Sequence, residues 1–195
     1  MNITNIQIHP STGDTPRLAT VTIVIDNAIS MHGLGIVKRK NDEGLFVSMP
    51  SHKNKNGEYR DIYFHPVSSE ARQDLTDKVL DAWAKYQENP DVTSFDMGDP
   101  NAEIKVDSIR FFDRKVEDRV YVSASAVLDD AMVLSLIGMG HRNDDEQTPY
   151  IRMPGRRMAD GESKDVYHPI SAEARQALCE AIFKAYDERD TSAEA

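Results

Sequence analysis

One stretch of this sequence is written twice. HPVSSEARQDL, from His65 to Leu75, returns as HPISAEARQAL from His168 to Leu178, with 8 of the 11 positions identical. Upstream, Met49-Pro50, Gly57-Glu58 and an Asp precede the first His-Pro, and Met153-Pro154, Gly161-Glu162 and an Asp precede the second in the same order. The offset is 103 residues at Ile25-Asp26 and Leu128-Asp129, 104 at the two Met-Pro pairs and 103 again at the two His-Pro pairs, so only single-residue loop changes separate the copies. That period is too long for a solenoid repeat, which makes each copy a small domain. The expected organisation is a first unit over 1–88, an acidic linker over 89–103, a second unit over 104–190 and a short tail over 191–195. The linker reading rests on Asn89 to Glu103, which is rich in Pro, Asp and Asn and carries four acidic residues and no basic one.

With 195 residues, 39% of them apolar, the chain can bury two modest cores. No apolar run reaches the roughly 18 residues that span a bilayer, and no charged-then-apolar leader opens the sequence, so the cytoplasm is the expected compartment. A single cysteine, Cys179, excludes an internal disulfide and a cysteine-cluster zinc site. The net charge of −10 argues against a protein that coats polyanions by bulk attraction. Its distribution is uneven. Residues 1–90 hold 10 basic and 11 acidic side chains, and residues 91–195 hold 13 and 22, with much of the excess in the linker and after Tyr186.

Each copy reads as an antiparallel meander followed by one helix. Ile3, Ile6 and Ile8 mark a first strand, matched by Val106, Ile109 and Phe111. Leu18 to Asp26 is dense in β-branched residues, with Ala19, Val21, Ile23 and Ile25 on one face and Thr20 and Thr22 on the other. In the second copy Val122, Ala124, Ala126 and Leu128 alternate in the same way. Ile29 to Val37 and Leu45 to Met49 complete the first meander around a turn at Asn41-Asp42-Glu43-Gly44. After a polar loop and a short segment from Asp61 to Phe64, Ser68 is placed to cap a helix and Glu70 to complement its dipole; Ser171 and Glu173 repeat both signals. Ala71, Leu75, Val79, Trp83 and Tyr86 form an apolar stripe, and Ala174, Leu178, Ile182 and Tyr186 form its counterpart. The predicted fold class is α+β. One helix covers a sheet face poorly, so the two copies are expected to pack on each other as an intramolecular pseudo-dimer.

The run from Gly44 to Arg72, GLFVSMPSHKNKNGEYRDIYFHPVSSEAR, resembles the hallmark of the SpoVG family, the stage V sporulation protein G or septation regulator family of bacteria. There a strand ending in Phe-Val-x-Met-Pro precedes a basic loop, Gly-Glu, Asp and His-Pro-Ile. In the second copy Met153-Pro154, Gly161-Glu162, Asp165 and His168-Pro169-Ile170 match, while Tyr150-Ile151-Arg152 replaces the Phe-Val element. The resemblance implies a small dimeric unit that binds nucleic acid and regulates septation or sporulation. Fusion of two such units in one chain implies that the family dimer is made within a single molecule.

The basic loops are the best candidates for a site. Lys53, Lys55 and Arg60 surround Glu58 in the first copy; Arg152, Arg156, Arg157 and Lys164 surround Asp160 and Glu162 in the second. Each loop nets about +2, and its cations would bond phosphate oxygens of DNA or RNA and release counterions. A solvated surface loop would carry the same charges. Arg72 and Arg175, one turn into each helix, point to a phosphate or to a neighbouring carboxylate, and both readings stand. Lys38-Arg39-Lys40 is either a surface turn or one side of an asymmetric site, because its counterpart from His141 to Glu146 is not basic. His65 and His168 each precede a proline, which favours an extended backbone and a ring packed on the following helix over a metal ligand. Trp83, Tyr86 and Tyr186 belong first to the core stripes. With no P-loop, Rossmann glycine run, HExxH or nucleophile elbow, the expectation is a binding protein without catalytic residues, metal or cofactor. The alternative is a protein-interaction or scaffold module, which the acidic second half favours. An exposed strand edge would leave room for further self-association.

Overall fold

The computed structural model describes residues 1–40, 44–116, 119–141, 147–157 and 161–193. The predicted turn residues Asn41 to Glu43, the segment from Arg142 to Glu146, and Asp160 lie outside the described residues. The first unit runs β1 (Ile3–Pro10), β2 (Arg17–Ile25), β3 (Ile29–Lys38), β4 (Leu45–Ser48), β5 (His52–Lys53), β6 (Tyr59–Arg60), β7 (Phe64–Pro66) and α1 (Ser69–Glu88). After β8 (Ser94–Asp96), the second repeats the plan as β9 (Val106–Val116), β10 (Arg119–Leu128), β11 (Met132–His141), β12 (Pro149–Arg152), β13 (Gly155–Arg157), β14 (Ser163–Asp165), β15 (Tyr167–Pro169) and α2 (Ala172–Ala193). The α+β class and the duplicated arrangement stand as read from sequence.

The hairpin turns follow from local chemistry. Asp26 and Asn27 have φ of 50° and 47°, and Asp129 and Asp130 of 50° and 44°. Two successive left-handed residues make the tight turn whose twist suits flanking strands, and Asp and Asn tolerate it better than other non-glycine residues. The helix starts are equally local: the Ser68 hydroxyl accepts from Ala71 N at 3.1 Å and the Ser171 hydroxyl from Ala174 N at 3.0 Å. Glu70 and Glu173, in the first turns, are both held below the usual carboxylate range by hydrogen bonds with their own backbone and with these serines.

What joins the units is an exchange of strands. β7 of the first unit pairs antiparallel with β11 of the second, matching Phe64 to Leu134, His65 to Val133 and Pro66 to Met132. Reciprocally, β15 pairs with β3, matching Tyr167 to Met31, His168 to Ser30 and Pro169 to Ile29. The flanking backbone bonds repeat too: Ser135 N donates to Tyr63 O and His32 N to Val166 O, each at 2.8 Å. Each unit therefore completes its neighbour's sheet, giving a six-stranded sheet in the order β15-β3-β2-β1-β8, with β4 also on β3, and a five-stranded sheet β12-β11-β10-β9, with β7 also on β11.

The exchange merges the interiors. Instead of two modest cores, one cluster runs from Ile3, Ile23 and Leu75 through Phe64 and Tyr167 to Leu134, Leu178 and Ile182. Phe64 and Tyr167 are fully buried, occupy equivalent positions and meet edge to face at 6.3 Å. The Tyr167 hydroxyl donates to Ser135 O at 2.6 Å, and burial pushes its phenol far above the usual range. The segment between the units is more than a tether, since β8 pairs along β1 from Asn5 to Gln7. Beyond Tyr186, α2 continues to Ala193, and Arg189 lies over the Phe111 and Tyr186 rings while reaching Asp113 at 3.4 Å.

Candidate nucleic-acid interface

The loop after each Met-Pro folds into a two-stranded ribbon, β5–β6 in the first unit and β13–β14 in the second. Gly57 and Gly161 make their turns with φ of 85° and 88°, the left-handed region where a glycine has no Cβ to clash. The ribbons present their cations differently.

In the first unit the charges are partly spent within the unit. Arg72 reaches Asp61 at 3.2 Å, Arg60 reaches Glu58 at 3.4 Å, and Lys53 lies over the Tyr59 ring at 5.9 Å. For Arg72 the carboxylate reading is the one the structure adopts. Lys55 lies on the exposed ribbon turn.

In the second unit the cations converge. Arg156, Arg157 and Lys164 from the ribbon and Arg175 from α2 line one open cleft of about 880 Å³, together with Arg17 from β2 of the first unit. Arg152, on β12, is exposed but does not line it. Among the described residues, Asp165 is the only carboxylate on the lining. Among the described residues, none of the five cations comes within 4 Å of a carboxylate oxygen. The ribbon registers make Lys164 the counterpart of Arg60 and Asp165 the counterpart of Asp61, so the difference lies in pairing: Asp61 holds Arg72 at 3.2 Å, whereas Asp165 makes no ion pair with Arg175 among the described residues. Arg17 is brought in by Gly35, where an added Cβ would meet its guanidinium carbon at 2.8 Å. A side chain there would push the arginine off the sheet.

The cleft wall holds a second feature that sequence reasoning missed. His32 and His168 stack with ring centroids 5.0 Å apart and planes 20° apart, and His32 Nε2 lies 3.3 Å from His168 Nδ1. Thr22 Oγ1 sits 3.2 Å from His32 Nδ1 and 3.4 Å from His9 Nε2, extending the chain across the sheet. Burial, then the neighbouring His168 and His9, hold the His32 pKa below the usual imidazole value, with Asp165 opposing. The His168 ring therefore packs on His32 and not on the helix that follows it. At the equivalent junction Ser135 stands at the position of His32 and is hydrogen-bonded to Ser125 at 3.4 Å, and the buried His65 Nδ1 has no partner among the described residues.

Comparison with known proteins shows the family. The SpoVG family model matches residues 1–85 and again 104–188. The chain belongs to the SpoVG family. A protein of Archaeoglobus fulgidus carrying the septation-protein SpoVG name is 42% identical over 85 residues, 44% of this chain and 96% of that relative. One from Lachnospira eligens is 36% identical over 87 residues, 45% of this chain and 96% of the relative, and one from Clostridium botulinum 34% over 92 residues, 47% and 98%. These SpoVG relatives are thus about one unit long, and this chain holds two.

Among the described residues of this SpoVG tandem no group of three or more potential ligands gathers for a metal ion, and no helix is long and apolar enough to cross a membrane.

Proposed function

We propose that this SpoVG-family protein is a cytoplasmic regulator, of the septation or sporulation type, that acts by binding DNA or RNA and not by catalysis. The observation that carries the reading is the convergence of Arg17, Arg156, Arg157, Lys164 and Arg175 on one cleft, with no carboxylate partner among the described residues. Cations left unpaired in a folded protein of net charge −10 are a local exception to its field, and a phosphate backbone is the ligand that satisfies several at once. The names of the relatives, which refer to septation, support the regulatory part. The first-unit residues Lys53, Lys55, Arg60 and Arg72 would play a lesser part, because three of them already have partners.

The test is fluorescence anisotropy of labelled single-stranded RNA, single-stranded DNA and duplex DNA between about 50 and 200 mM salt. For about five phosphate contacts on duplex DNA, log affinity should fall against log salt with a slope near −4.5. Arg156→Ala with Arg157→Ala should flatten the slope, and Lys53→Ala with Lys55→Ala should change it less. Absence of binding at the lowest salt would sink the reading.

A protein-interaction role has an observation of its own. β9 is an edge strand with no partner on its outer side among the described residues, and Phe112 and Tyr121, on the same face of β9 and β10, are 57% and 53% exposed. An open edge beside exposed aromatics suits strand addition by a partner chain, which would persist at high salt where phosphate binding fades.

A further inference from the structure

We propose that the junction cleft is a proton-linked phosphate site, in which the His32–His168 pair takes up a proton as a phosphate group settles among Arg17, Arg156, Arg157, Lys164 and Arg175. The inference deepens the phosphate-binding reading above and rests on it. It adds that only one of the two junctions binds, and that binding couples to pH.

Two imidazole nitrogens 3.3 Å apart form one hydrogen bond, so one ring donates and the other accepts while both are neutral. The groups facing them are the Thr22 hydroxyl and Arg17 from β2, Ser30 beside His32 on β3, His9 from β1 by way of Thr22, Arg156 and Arg157 from β13, Lys164 and Asp165 from β14, and Arg175 from α2. Five of these are fixed cations and one is a carboxylate. That field, with burial, disfavours a further positive charge on the rings when the cleft holds only water. A phosphate reverses the balance: it neutralises the cations nearest the rings and offers acceptor oxygens to any ring N–H that is gained. The proton comes from solvent, adds to an imidazole nitrogen and leaves an imidazolium beside the anion. Affinity must then rise as pH falls through the histidine range, by about tenfold for each unit by which the anion raises the apparent pKa.

The other junction supplies an internal control. There Ser135 stands at the position of His32, and Arg72 is paired with Asp61. Neither the second imidazole nor the surplus of cations is present, so no proton uptake is expected from that side.

The shared chemistry is a phosphate group, which a nucleic-acid strand or a free phosphorylated metabolite could bring. Isothermal titration calorimetry of the full chain, in pairs of buffers with different ionisation heats, counts the protons taken up on binding. Two probes separate the sources: a single-stranded oligonucleotide without terminal phosphates, whose diesters do not titrate between pH 6 and 8, and inorganic pyrophosphate. The expected result is fractional proton uptake at pH 7 and about tenfold tighter binding at pH 6 than at pH 8, both lost in His32→Ser. A histidine titration by NMR with and without probe reads the same linkage in the wild type, independent of how the variant folds. Uptake with pyrophosphate but no oligonucleotide binding would keep this proposal and overturn the nucleic-acid reading. Oligonucleotide bound equally at pH 6 and pH 8, with the His32 and His168 titrations unmoved, would overturn this proposal and leave the nucleic-acid reading standing. Failure of both probes to bind would overturn both.

Discussion

The two junctions of this molecule are built on the same plan and have been filled differently. Where β15 meets β3, His168 stacks on His32 and Lys164 and Arg175 line one cleft; where β7 meets β11, Ser135 stands at the position of His32 and Asp61 holds Arg72. A homodimer of identical chains could not do this, since any substitution on one side of a twofold axis appears on the other. Fusing the copies releases that constraint. The backbone exchange, which both sides need for folding, stays symmetric down to its hydrogen bonds, while the side chains over the sheet diverge into one charged cleft and one neutralised surface.

The symmetric part is the most sensitive to damage. Phe64→Ala and Tyr167→Ala each remove a fully buried ring at the contact between units and should each cost about 3–5 kcal/mol in denaturant unfolding. Because the core is continuous, both should shift a single cooperative transition. A variant that melts one unit while the other stays folded would show that the junction does not weld the halves. Tyr167→Phe sharpens the point: it keeps the ring but leaves Ser135 O without its 2.6 Å donor, a loss that Phe64 never risks, at about 1–3 kcal/mol.

The charged difference between the junctions should be convertible. Lys164→Asp removes one cation from the cleft and adds a second carboxylate beside Asp165, within a lining that includes Arg175. It should weaken oligonucleotide binding about tenfold and lower the salt slope by about 1 to 2, with no change in fold. In the first unit, Asp61→Lys should free Arg72 and raise affinity. If the two exchanges left binding unchanged, the cleft would not be where phosphate sits.

Much of this architecture was legible in the residues. Repeated serine caps, alternation in β2 and β10 and the helical stripes identified the α+β units, because each of those signals is local. The exchanged strands were not legible: β7 and β15 are three residues long, and three residues carry no period that says which sheet they join. The cleft was half visible. Arg156, Arg157, Lys164 and Arg175 stood out as cations, but Arg17 and His32 lie more than 120 residues away and became neighbours only through the exchange. Lining up the copies column by column would have flagged them, since the positions of His32 and Arg17 hold Ser135 and Val120 in the second unit.

The two hairpin turns offer a smaller contrast. Asp129 lies 3.6 Å from the N-terminal amine, whereas Asp26 is buried with one carboxylate oxygen unpartnered. Burial raises the Asp26 pKa, and Asp129 and Asp107 add to that, against the Asn2 hydrogen bond and the N-terminal charge. A carboxyl with a raised folded pKa contributes its stability below the unfolded value and loses it as pH rises through the folded one, so at pH 7 the ionised Asp26 is a cost. Asp26→Asn, which also suits the left-handed φ, should therefore stabilise by about 1 kcal/mol at pH 7, with the gain vanishing towards pH 3. Urea midpoints at the two pH values check it, and a destabilised variant at pH 7 would count against the assignment.

The smallest effect separates the two helix arginines. Arg72 and Asp61 keep 44% and 32% of their side chains exposed, so their attraction is screened by water and salt, and Arg72→Ala should cost only about 0.5 kcal/mol. Arg175→Ala removes no ion pair among the described residues and should leave the unfolding midpoint unmoved. The functional ordering is the reverse. Arg175 faces the cleft with its charge uncompensated, so its removal should weaken oligonucleotide binding and reduce the salt slope by about one contact, while Arg72→Ala should leave both nearly as they were. Equal losses of affinity from the two substitutions would mean that an oligonucleotide breaks the Asp61 pair to reach Arg72. The molecule would then bind symmetrically, as a pair of identical chains would, in spite of the differences between its junctions.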